Sequence, residues 1–436
     1  MYTIKTQSFT TFSKEIYTEH IEEASFLYEQ RLTLFNDREL AWYELDDFEK
    51  RLESHIYALA LGGDSARKVC QEEAIEGDSG EIYTALCVFC RQDRPDLLYA
   101  VIKEINAADA DIVAAVSDAL CQEAPEHWFD KITDFNTYDA MYDFREAISN
   151  AIGYKKLSKY ESFIIHLFNE EKNDTVLNSL IWTIGQLRIR SLIKPLTTIY
   201  KNFNSHTTRK AALLALLTIR SKTSAVSLLL ADNESNHRYL GHVPSSRVSR
   251  KIVQLLASKD VNKDIIIAAG ISGQTDTIPL LLKHLENNDI AYEAAMSLFL
   301  ITGAPLFEDF AIPEEIDEDE LFDDEIDKSI KGEIIFKDGK TSDITIKRIS
   351  QNRKTWVNWF ETNEVKFQSL TKARLGKSLS VESAIDSMLV KSIPNRIRQL
   401  IYDSLSIHYK INTSFSYTMN VKKQMEQIKK MKSEVN

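Results

Sequence analysis

Two cysteines three residues apart, Cys87 and Cys90 in "TALCVFCRQD", are the spacing most suggestive of chemistry in this chain. A C-x-x-C pair serves redox exchange or zinc binding when its thiolates sit exposed at a loop or a helix start. Here Leu86, Val88 and Phe89 surround the pair, a pattern that predicts a buried helix with the thiols as small core residues. A zinc site would need Cys121 and His127 as well. The expectation is therefore no metal and no cofactor. The nine histidines are scattered. His20 and His55 fall on predicted helices, and His166 lies inside the apolar "FIIHLF"; each reads as a packing residue. No Walker loop, G-x-S-x-G or H-E-x-x-H is present, so no catalytic residue is assigned.

Two polar stretches remain as candidates for binding. Residues 231–248, "ADNESNHRYLGHVPSSRV", have no apolar period and carry His237, Arg238, Tyr239 and His242. Long loops inside compact repeats are often functional. Residues 308–327 hold twelve acidic residues and no basic one, with Asp317, Glu318, Asp319 and Glu320 in an unbroken run. Such a run is either a solvated linker or a docking strip for a basic partner. It has no EF-hand spacing, so no calcium site is assigned.

These stretches interrupt a repeat. Gly185 and Gly270 share a register in which apolar residues follow at the eighth and eleventh positions, Ile193 and Leu196 in one copy, Ile278 and Leu281 in the other. Extended along the chain, the register fits anchors at Cys90, Leu120, Gly153, Gly185, Thr218, Gly270 and Leu300. The spacings are 30, 33, 32, 33, 52 and 30 residues. Before each anchor lies an apolar segment rich in small residues, and after it a short polar turn and a second apolar segment. A helical hairpin just over 30 residues long is a HEAT-like repeat, and such hairpins bury their apolar faces only by stacking. The fold class expected is thus all-α, a HEAT-like α-solenoid of about seven repeats. Residues 80–305 should be almost wholly helical, with Gly153, Gly185 and Gly270 near first-helix ends. Small residues there should let the second helix of the same hairpin approach. Trp182 should pack between neighbouring repeats.

The flanks complete the organisation. Residues 1–78 read as a helical cap, with amphipathic helices at 19–35 and 44–61, the second stopped by Gly62–Gly63. Asp78 or Ser79 in "EGDSGEIY" is the expected cap of the next helix. The solenoid spans 79–307 with its insertion near 231–248, and 308–330 is an acidic linker. In 331–436, "KGEIIFKDGKTSDITIKRI" predicts a β-hairpin at 332–349 around Asp-Gly. A helix with Trp356, Trp359 and Phe360 packed inward follows, then helices near 380–391 and 394–410 and a basic amphipathic tail.

Charge limits the function. The chain carries a net charge of −12. Residues 331–436 have 20 basic and 10 acidic residues, whereas residues 1–330 have 33 and 55, a net −22. That balance excludes a general nucleic-acid binder, which needs a basic face. It suits a basic protein partner. The longest apolar runs are too short for a bilayer span, and "MYTIKTQSFTTFSKEIYTEH" lacks a secretory h-region, so a cytoplasmic protein is expected.

The segments "EHIEEASFLYEQR", "LDDFEKRLESHIYAL", "EGDSGEIY" and "TWVNWFETNEVKF" resemble an uncharacterised group of bacterial HEAT-repeat proteins. Genes of that group often lie beside type VI secretion or polymorphic-toxin genes. The resemblance implies a non-enzymatic protein-binding scaffold, either an immunity protein against a basic toxin or an adaptor for a secreted effector. It assigns no functional residue. The competing reading is a HEAT-like enzyme, such as a lyase acting on a small ligand in the solenoid groove.

Overall fold

The structure is a computed structural model that describes residues 6–37, 40–134, 139–219, 222–231, 237–311, 345–409 and 411–435. It is mostly helical, with a few short strands. Packing divides the chain into two units: residues 1–248 with 380–436, and residues 249–379. This division differs from the sequence-based boundaries at 307/308 and 330/331. The last 57 residues belong with the N-terminal half, so 331–436 is not one region.

In the first unit, α1 (Thr6–Leu34), α2 (Leu45–Leu61) and α3 (Gly63–Glu76) precede α4 (Ser79–Arg91) and α5 (Pro95–Ile102). Next come α6 (Ala110–Gln122), α7 (Trp128–Ile132), α8 (Arg145–Lys155), α9 (Glu161–Glu170), α10 (Asp174–Leu187), α11 (Ile193–Asn202), α12 (His206–Ile219) and α13 (Lys222–Ala231). Gly62 ends α2 as its C-cap. Asp78 caps α4, accepting from the Gly80 amide while Glu81 reaches back to the Asp78 amide. A capping box of this kind stabilises a helix start by about 1 kcal/mol. The side chains of Asp109 and Asn173 cap α6 and α10 by accepting from the amides two and three residues on.

The helices that precede the anchors form a row. Helix α1 packs on α4, α4 on α6, α6 on α8, α8 on α10 and α10 on α12. Helices α9 and α11 pack outside this row, against α10 and α12 respectively. Gly153 and Gly185 lie two residues before the ends of α8 and α10. Their small size answers a different neighbour from the one expected. A Cβ at Gly153 would lie 2.6 Å from Thr183 Oγ1, and one at Gly185 would lie 3.1 Å from Ala215 Cα. The close approach is therefore between successive first helices, not within a hairpin. Polar rungs tie the same row together: Asn150 to Ser117, Ser179 to Glu146 and Ser149 to Thr183, at separations of 33, 33 and 34 residues.

The turns also repeat. The residue three places after an anchor has left-handed backbone at Asp93, Lys156, Arg188, Gly273 and Gly303. The following amide then bonds back across the helix end, Arg94 to Phe89, Leu157 to Ile152 and Ile189 to Ile184. This satisfies free carbonyls at the ends of α4, α8 and α10.

Helix α14 (Ser246–Leu256) crosses the boundary between the units. The second unit continues with α15 (Lys263–Ser272), α16 (Ile278–His284) and α17 (Ala291–Thr302), in which α15 packs on α17. Strand β1 (Phe307–Ala311) pairs antiparallel with β2 (Thr345–Ile349), and α18 (Arg353–Gln368) follows. The expected hairpin at 332–349 thus contributes 345–349, whose described partner is 307–311; its Asp-Gly turn lies outside the described residues. A short hairpin does form later, β3 (Ala373–Arg374) with β4 (Lys377–Ser378). Its tip caps α17, the Leu375 and Gly376 amides donating to Leu300 and Ile301. In α18, Trp356 and Phe367 are buried, while Trp359 and Phe360 are only half-buried, a correction to the inward packing expected of all three tryptophan and phenylalanine positions 356, 359 and 360.

Helices α19 (Val381–Ser387), α20 (Asn395–Ser404) and α21 (Val421–Val435) return to the first unit, with a π-helical turn at 405–409. The basic tail is docked along its apolar stripe, Val421, Ile428 and Met431 all being buried.

Candidate protein-binding cleft

A cavity of about 940 Å³ opens on the row of first helices in the first unit. It lies at the N-terminal parts of α6, α8 and α10, so three successive helices of the row form its wall. Their period places Asp118, Glu146 and Asn150 on that wall, with Asp143 and Arg145 at the start of α8. Arg145, the one cation among the described lining residues, is paired with Glu171 through contacts of 2.6 and 3.3 Å. Asp118 accepts from the Tyr28 hydroxyl at 3.0 Å. Burial pushes the Asp118 carboxyl above the usual carboxylate range, and Arg31 opposes this. Tyr28 is fixed in turn by stacking on Tyr83, ring centroids 3.9 Å apart. The cleft is thus a polar, acid-weighted surface on a rigid wall.

The residues singled out in the sequence lie elsewhere. His237, Arg238, Tyr239 and His242 form a 3-10 turn at 237–242 in which Tyr239 and His242 are buried and His237 and Arg238 half-buried. His242 Nδ1 lies 2.7 Å from Ser404 Oγ on α20, and Lys210 Nζ sits 5.9 Å from the centroid of the Tyr239 ring. The described part of this stretch is a packing seam rather than an open loop. Burial, helped by Arg238, brings the His242 imidazole down to about 3, so it is neutral. Asp317, Glu318, Asp319 and Glu320 lie outside the described residues. The start of the acidic run, 308–311, is part of β1.

All four cysteines are buried free thiols, and burial pushes the thiols of Cys87, Cys90 and Cys121 up. His127, the remaining zinc candidate, is exposed and sits 3.0 Å from Asp93. Among the described residues no group of three metal-ligating side chains converges. His20 and His55 are not lone packing residues: their Nδ1 atoms are 3.0 Å apart. His166 is half-exposed, 3.4 Å from Glu170. Trp182 packs against Gly153, as a neighbour-repeat contact, but is half-buried rather than fully enclosed. No helix among the described residues is long and apolar enough to cross a membrane.

Sequence reasoning missed the cleft. Its signal was present as polar residues one repeat apart, such as Ser117 with Asn150, embedded in segments read only for their apolar pattern. Compared with known proteins, the chain matches no family, no curated protein and no solved structure.

Proposed function

We propose that the chain is a non-enzymatic HEAT-like α-solenoid scaffold that binds a basic protein. The observation that carries this reading is the cleft, where α6, the turn before α8 and α8 itself present Asp118, Asp143 and Glu146 around an arginine already paired to Glu171. Carboxylates on a rigid concave wall attract and orient cationic side chains, and the −22 charge of residues 1–330 steers them there. The resemblance noted above supports a toxin or a secreted effector as the partner, with the chain acting as immunity protein or adaptor.

The test is binding by the partner recovered from the native host. Asp143→Asn with Glu146→Gln should slow association several-fold, and raised salt should weaken binding of the unaltered protein. Growth rescue on co-expression identifies an immunity protein; a secretion defect on deletion identifies an adaptor. Binding indifferent to salt and to both substitutions contradicts the reading.

A further inference from the structure

We propose that residues 411–435 are a ligand held in cis, and that the edge they occupy is a second protein-binding surface. Its external ligand is a segment of another polypeptide with the same chemistry, a non-helical stretch with apolar anchors in the manner of Ile411, Phe415 and Met419 that leads into a lysine-rich helix. This inference goes beyond the cleft and shares with it only the role of protein-binding scaffold.

Among the described residues, the main chain of 411–420 makes no hydrogen bond to main chain elsewhere in the first unit. Side chains at the ends of the first-unit helices reach out to it instead. Arg188 Nη2 donates to the Ile411 carbonyl at 2.9 Å. Arg31 Nη2 and Gln122 Nε2 both donate to the Thr418 carbonyl, at 2.7 and 3.2 Å. Glu49 Oε2 accepts from the Val421 amide, at 2.6 Å, where α21 begins. Recognition through carbonyls and an amide is how folded domains hold extended peptides, and it tolerates changes of side chain in the ligand.

The receptor groups are pre-aimed. Arg31 and Glu49 form a buried ion pair at 2.8 Å, each almost fully enclosed. Their remaining donor and acceptor point at two main-chain groups three residues apart, the spacing of a helix start. Charge agrees with this. Helix α21 carries Lys422, Lys423, Lys429, Lys430 and Lys432 against Glu426 and Glu434. Lys423 Nζ reaches Glu123 at 3.1 Å and also donates to the Gln122 carbonyl. Beside it lies a cavity of about 440 Å³ on whose wall the receptor's Asp46, Glu49, Glu53 and Glu123 outnumber its Lys50 and Arg91, which pair with Asp46 and Glu53. An acidic edge thus already holds a basic occupant, one tethered to the same chain and therefore at a high effective concentration.

The probe is a fluorescein-labelled synthetic peptide of residues 411–436, added to full-length protein. Wild type should bind it weakly, because its own segment competes. A full-length Val421→Asp, Lys423→Glu variant should bind it about ten-fold more tightly or better. Adding Arg31→Gln and Glu49→Gln to that variant should abolish the gain. A folded tail-loosened variant that binds the peptide no better than wild type overturns the proposal. If the variant does not fold, hydrogen exchange on wild type decides. Amides of 411–435 should exchange at least about ten-fold faster than those of α6, α8 and α10; equal protection overturns the proposal. Either failure leaves the cleft reading standing, since the cleft substitutions do not touch this edge.

Discussion

Arg188 offers a substitution in which two opposed effects separate cleanly. Its backbone is left-handed, with φ 57° and ψ 44°, at the turn after α10. A side chain there costs about 1–2 kcal/mol that glycine does not pay. Its guanidinium is half-buried and donates to the carbonyls of Ile411 and Ser406, at 2.9 and 3.3 Å. Charged hydrogen bonds of this kind contribute about 1.5–3 kcal/mol together when partly exposed. Arg188→Ala loses the bonds and keeps the backbone cost, so it should destabilise by about 2 kcal/mol. Arg188→Gly loses the same bonds and removes the cost, so it should destabilise by only about 1 kcal/mol. Urea unfolding measures the gap between the two variants, and hydrogen exchange at 405–411 measures the lost tether, which should be equal in both. Equal stability of the two variants would refute left-handed strain at 188. Unchanged exchange at 405–411 would refute the tether.

Further outcomes follow from the same geometry. Unfolded His242 titrates near 6.5 but the folded residue only at about 3, so the unfolded state binds a proton first as pH falls. Its contribution therefore destabilises the fold by about 1.4 kcal/mol per pH unit below 6.5. Half-buried Asp403, raised to about 6 by desolvation, acts in the opposite sense, favouring the folded state as pH falls below 6. The fall of the melting temperature from pH 7 to 5 should accordingly steepen in Asp403→Asn and flatten when His242→Asn is added; no change in either variant contradicts the desolvation of these two groups. Gly153→Ala should cost about 1–3 kcal/mol, because its new methyl meets Thr183 and Trp182. Trp182→Ala should cost about 2 kcal/mol, less than for a fully buried tryptophan. The double variant should cost less than the sum of the two, since removing the indole makes room for the methyl; strict additivity would contradict the contact.

Local rules wrote much of this fold into the sequence. The register of Gly185 located the ends of α8 and α10, because close approach of successive helices admits only a small residue there. Asp78 was readable as a cap because its side chain answers amides two and three residues away. The left-handed position three residues past an anchor was not readable: lysine and arginine stand at 156 and 188 where glycine stands at 273 and 303. Those two basic residues face the returning segment, Lys156 donating to the Tyr402 hydroxyl and Arg188 to Ile411. Contacts between residues more than 200 positions apart leave no local pattern. For the same reason 237–242 read as an open polar loop, although Ser404, 162 residues on, meets Nδ1 of the buried His242. The acids of the cleft were legible as composition but not as a place, because Asp118, Asp143 and Glu146 meet only when α6 and α8 stack.

The account's central claim is that the cleft receives a basic protein, and a photo-crosslinker tests it most directly. Benzoylphenylalanine is placed at Ala114, an exposed residue on the cleft wall, and separately at Lys68, whose side chain is 80% exposed on α3. Irradiation in the native host should yield one strong adduct from position 114, to a protein of net positive charge, that is absent from position 68 and weakened by Asp143→Asn with Glu146→Gln. No adduct at 114, or the same adduct at both positions, would contradict the claim.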